Sequence, residues 1–70
     1  MMPLLLATPG QEVIVNKVGG KQDVRQHLNE LGFTVGSPVT VVSSVNGNLI
    51  VKVKESRVAL DKSLANKIMV

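Results

Sequence analysis

The chain contains no cysteine, no tryptophan and no tyrosine, and it holds a single phenylalanine, Phe33, and a single histidine, His27. Without cysteine there are no disulfides, no thiolate metal sites and no thiol nucleophile, and a reducing cytoplasm is the expected compartment. With Phe33 alone, no aromatic-lined groove for proline-rich peptides can be built, and single-stranded nucleic acid finds no stacking platform. Long apolar runs are missing as well: nothing approaches the ~20 residues of a membrane span. The run from Pro3 to Ala7 lacks a basic flank and is shorter than the roughly 7–15 residues of a signal core, so a soluble intracellular chain without a leader is expected. Nor is charge of one sign concentrated. The net charge is +3, but Lys17, Lys21, Arg25, Lys52, Lys54, Arg57, Lys62 and Lys67 are spread along the whole chain, which reads as solvated surface and predicts no nucleic-acid partner.

Seventy residues set one domain, 1–70. A chain this size buries only about 60% of the surface it exposes when unfolded, which leaves little for a deep pocket. Thr8-Pro9-Gly10 reads as a type II turn, with proline at its second position and glycine at its third. Gln11 to Val18 follows as a strand, with Val13 and Val15 on one face and Glu12, Ile14 and Asn16 on the other. From Lys21 to Leu31 the apolar residues Val24, Leu28 and Leu31 fall at i, i+4 and i+7, one stripe of an amphipathic helix. Gly32 suits the left-handed residue that ends such a helix, and Phe33 then contacts Leu28.

Ser37 to Val45 is β-branched throughout much of its length and opens with Pro38, where no ladder donor is needed. Asn46-Gly47 is a type I′ hairpin signal. A two-residue loop pairs Val42 with Val51 and Thr40 with Val53 in the returning strand Asn48 to Lys54. That register sets Val39 and Val41 opposite Lys54 and Lys52, so neither face is purely apolar. Glu55 and Ser56 make a second turn, "RVAL" is a short strand, Asp61 is an N-cap for a helical turn over "KSLANK", and "IMV" closes the chain. The fold class is therefore mainly β: a small SH3-like barrel of about five strands, with one α-helix after the first strand and a short helical turn before the last. Closure would remove exposed strand edges.

The order of these elements carries a resemblance. A leading "PL…L…PG", a strand, "GG", a helix with an arginine, "LNELGF", a "VTVV" strand, a hairpin and a closing "R-x-AL…A-x-x-I-x-V" together resemble the FeoA family, over nearly the whole chain from Pro3 to Val70. The family usually carries Pro-Gly after the helix, where Val35-Gly36 stands here. The resemblance implies a non-catalytic cytoplasmic accessory of bacterial ferrous iron uptake, and as its partner the cytoplasmic domain of FeoB, the membrane GTPase transporter. Contact with the membrane would be only indirect, through FeoB. Similar barrels occur as C-terminal domains of metal-dependent repressors, but no helix-turn-helix accompanies this one. The alternatives to the accessory role are a basic nucleic-acid-binding small barrel and a metal-responsive regulatory domain.

Little in the chain looks like an active site. His27 has no serine placed as its nucleophile, since Ser37, Ser43, Ser44, Ser56 and Ser63 lie in strands and turns where hydroxyls serve backbone hydrogen bonding. "GGK" at Gly19 to Lys21 lacks the remaining residues of a phosphate loop, so no cofactor is expected. Asp23, His27 and Glu30 lie within one arc of the helix and are a donor set that suits Fe(II) or Mn(II). They lack supporting residues on an exposed helix, so no metal site is assigned and only a weak divalent contact is allowed for. His27 is then expected to flank the core. The candidate partner-binding residues are Lys21 and Arg25 on the helix flank, Leu28 and Leu31 orienting that helix, and Lys52 and Lys54 on one strand face beside Ile50. The chain is expected to be a monomer or a weak homo-oligomer, its "LLL" start either capping its own barrel or packing across a subunit boundary.

Overall fold

The computed structural model of the chain describes residues 1–70. After a 3-10 turn over Leu4–Leu6, the elements are β1 (Glu12–Ile14), β2 (Lys17–Val18), α1 (Gln22–Leu31), β3 (Pro38–Val45), β4 (Asn48–Val53), β5 (Ser56–Leu60), α2 (Lys62–Ala65) and β6 (Ile68–Met69). They form a four-stranded sheet in the order β1-β3-β4-β5 and a two-stranded sheet of β2 with β6, all pairs antiparallel.

The single strand expected over Gln11 to Val18 is in fact two. Val15 exchanges hydrogen bonds with the loop before β3, donating to Ser37 O at 3.0 Å and accepting from Gly36 N at 2.8 Å, whereas Asn16 N already bonds Met69 O at 2.8 Å. The chain therefore changes sheets between Val15 and Asn16, which turns the corner of the barrel. Val15 is wholly buried at that corner and Ile14 beside it is exposed. The ladder does not run all the way round: β1 and β5 are the two ends of the four-stranded sheet, and β5 has only β4 as a neighbour, so its outer edge stays open.

The largest correction is to the register of β3 with β4. From the Asn46-Gly47 turn the pairing starts as expected, Val45 with Asn48, Ser44 with Leu49 and Ser43 with Ile50, and then slips at a bulge between Val41 and Ser43. Beyond it Val41 pairs with Val51, Thr40 with Lys52 and Val39 with Val53. One extra residue, Val42, is left out of the ladder, and this resolves the mixed faces of the uninterrupted register. Val39, Val41, Val51 and Val53 all turn inward at 0–1% exposure, while Val42 turns out at 38%.

The second turn also moves by one residue. Val53 pairs with Ser56, so the loop is Lys54-Glu55, with Lys54 at φ +56°. The inward valines pack with Phe33, Leu4, Leu28, Leu60 and Ile68, all essentially without exposed surface. Leu4 thus caps its own barrel, although Leu6 of the same turn is exposed. No helix is long and apolar enough to cross a membrane.

Candidate functional site

The surface of α1 is set by how the helix ends. Gly32 has φ +108°, its N–H donates to Asn29 O at 3.0 Å, and Phe33 N donates to Leu28 O at 3.0 Å. This is the paired bonding of a Schellman motif, and it buries both Leu28 and Phe33 completely. Leu28 consequently cannot touch a partner, and this corrects its place among contact residues: it orients the helix from inside. Leu31 is half-buried against the core.

With the apolar stripe turned inward, Lys21 and Arg25 stand exposed one turn apart at the N-terminal end. Lys21 is the N-cap and supplies no side-chain hydrogen bond there. Asp23 accepts from Val24 N at 2.9 Å. On the outer side of the helix a shallow depression of about 360 Å³ is lined by Gln22, Arg25, Gln26 and Asn29, with no apolar wall. That is unlike a small-molecule pocket, whose lining is mostly apolar.

The second surface is the outer face of the four-stranded sheet. The observed registers align Glu12 with Thr40, Thr40 with Lys52 and Lys52 with Arg57, a single row across all four strands. Lys52 and Arg57 are directly opposite one another and both are exposed. Glu12, Pro38, Thr40, Lys52 and Lys54 line a depression of about 220 Å³. Lys54 belongs to the turn and not to the strand, and its Cδ and Cε lie 3.7 Å from where a Cβ on Gly32 would sit. Its stem therefore crosses the C-terminal end of α1, where free carbonyls favour a cation. Lys54 has a structural role that Lys52 lacks. Lys21 at the start of α1 and Lys54 beside its end are thus separated by the length of the ten-residue helix, roughly 15 Å at 1.5 Å per residue.

A turn at Glu55-Ser56 would leave Arg57 out of line with Lys52; the observed turn, one residue earlier, sets the two opposite each other. The sequence offered no signal for the true position, since a lysine at positive φ is not a usual turn marker.

No three histidine, cysteine, aspartate or glutamate side chains come together as a metal-holding group. Asp23, His27 and Glu30 share an arc of the helix but do not converge, and His27 is exposed instead of flanking the core. Asp61 caps α2, accepting from Leu64 N at 2.8 Å and from Ser63 Oγ at 3.1 Å. The Leu64 N–H foremost, then the Ser63 hydroxyl, hold the Asp61 carboxyl below its ordinary range.

A small SH3-like β domain that presents two charged surfaces is the class these features define. The chain belongs to the FeoA domain family, which matches residues 2–70. It is 40% identical over 70 residues to the Fe(2+) transport protein A of Methanocaldococcus jannaschii, covering all of this chain and 85% of that one. A crystal structure of an iron uptake regulatory protein, FeoA, superposes with a TM-score of 0.87 at 34% identity, covering 96% of this chain and 89% of that one. The zinc-complexed FeoA of Stenotrophomonas maltophilia, described as a prokaryotic SH3 domain protein, superposes with a TM-score of 0.85 at 27% identity over 99% of this chain and 88% of that one. The chain is thus a ferrous iron transport accessory protein of the FeoA family.

Proposed function

We propose that this chain acts by docking on the cytoplasmic domain of FeoB, the membrane GTPase that carries ferrous iron, and turns over no substrate itself. It works in the cytoplasm and meets the membrane only through that transporter. The observation that carries the reading is where the cations stand. Lys21 and Arg25 are like charges one turn apart at the positive end of the α1 dipole, an arrangement that costs an isolated helix ~0.2–0.5 kcal/mol per like-charge pair. None of the four side-chain hydrogen bonds of the protein involves Lys21 or Arg25. Cations held against the interest of their own helix are what an acidic partner surface would reward.

The test is shift mapping of the labelled chain with the cytoplasmic domain of FeoB from the same organism. Charge reversal at Lys21 with Arg25, and separately at Lys52 alone because Lys54 also braces the end of α1, should slow association and leave the fold intact. Folded variants that bind at the parental rate would remove these surfaces from the contact, and a parent chain that gives no shifts would remove the partner.

A further inference from the structure

The open edge of β5 has a defined chemistry. Val53 and Ser56 close a two-residue loop, and the closing pair of such a hairpin exchanges both of its backbone hydrogen bonds. Bonded and non-bonded pairs then alternate along an antiparallel ladder. Val51 with Val58 and Leu49 with Leu60 are bonded pairs, whereas Lys52 with Arg57 and Ile50 with Ala59 are not. The N–H and C=O of Arg57 and Ala59 therefore point away from β4. No backbone hydrogen bond outside the β4 ladder involves any residue of β5. Arg57 and Ala59 are both exposed, with Val58 half-buried between them.

Side chains along this edge specify what could pair with it. An antiparallel guest strand sets the residue opposite Arg57 on the outer face, extending the row Glu12, Thr40, Lys52, Arg57 by one position. That residue meets two cations directly opposite each other, an arrangement that destabilises a sheet unless an anion joins it. The guest residue opposite Val58 faces inward and covers a half-exposed valine. The one opposite Ala59 lies beside Ile50 on the outer face and is suited to an apolar side chain. A cation on a sheet edge commonly guards it against stray strands. Arg57 alone would do so; placing it opposite Lys52 goes further and selects a guest of opposite sign.

We infer that the β5 edge accepts an extended acidic segment of a protein partner as a fifth strand, bonded through the backbone of Arg57 and Ala59 and with its carboxylate on Arg57 and Lys52. This goes beyond docking on the transporter, since it holds for whichever protein presents the segment.

The test uses the full chain, isotope-labelled, with two blocked peptides of about six residues, one a valine-rich sequence with a single central glutamate and one the same sequence with lysine in its place. The glutamate peptide should shift the Arg57 and Ala59 amides most and slow their hydrogen exchange, with the Val58 amide, already bonded to β4, unchanged. The lysine peptide should do neither. Ala59→Pro removes an outward N–H from an edge strand, which such a strand tolerates, and should weaken binding about tenfold. Arg57→Glu should transfer the preference to the lysine peptide, and it keeps the inference testable where the proline variant fails to fold. Unchanged exchange at Arg57 and Ala59 up to millimolar peptide, or equal response to both peptides, overturns it. A transporter domain that still binds in that case would leave the docking proposal standing.

Discussion

Substituting alanine for Gly32 strikes the point where α1 is fastened to β4. The residue sits at φ +108°, and a Cβ there would lie 3.0 Å from Val53 Cγ2. Two costs add. Left-handed backbone with a side chain costs roughly 1–2 kcal/mol. Contact with Val53, which is 1% exposed and held in the core, adds an overpacking cost of about 1–2 kcal/mol, because neither side can retreat. The sum, about 2–4 kcal/mol, is a large share of the roughly 4–10 kcal/mol that a chain of this length can be expected to hold. At ~4–8 °C per kcal/mol it corresponds to a melting temperature lower by about 8–30 °C. Gly10→Ala is the control. Gly10 has φ +87° with nothing within 4 Å of the added Cβ, so it isolates the backbone cost of about 1–2 kcal/mol. Urea titrations of the two variants, compared at unchanged m, give the contact by difference. Equal destabilisation at the two positions would refute the claim that Val53 and Gly32 are locked together.

The bulge makes its own prediction. Val42→Lys should change stability by no more than about 0.5 kcal/mol, as at an ordinary surface site, while Val41→Lys buries an unpaired charge and should abolish the folded amide spectrum; the opposite order would mean the uninterrupted register is right. Acid should act on Asp61 through its cap. Its folded carboxyl lies below the ordinary value of 3.8, so the capping contribution is complete above the unfolded value and is lost as pH falls through the folded one. Asp61→Asn keeps an acceptor at the cap and should lack this loss, so the gap between parent and variant in thermal melts should be flat above about pH 5 and change only below it. A gap that instead changes near neutrality would contradict this.

Much of the fold could be read from local signals whose physics is short-ranged. The helix stripe at Val24, Leu28 and Leu31, the Gly32-Phe33 stop, the Asn46-Gly47 turn and the Asp61 cap each depend on residues within one or two turns of chain, and each stands as expected. What escaped was long-range. Nothing near Val42 announces a bulge; its reason lies in the inward valines of β4, which only the assembled sheet compares with it. The split of the first strand likewise depends on Met69, more than fifty residues away in the chain. For the surfaces, exposure of Lys21, Arg25 and Lys52 follows from periodicity, but the pairing of Lys52 with Arg57 required the second turn to be placed to the residue. Leu28 shows the converse: the helical period that nominated it also buries it.

The residue skipped at Val42 divides the sheet into two phases, and they tolerate change in length differently. Toward the hairpin tip, adding or removing residues in matched pairs merely lengthens or trims a solvated ribbon. On the side of Val39 and Val41, a single inserted or deleted residue would invert every inward valine, so natural variation in length should collect at the tip and be purged from the stem.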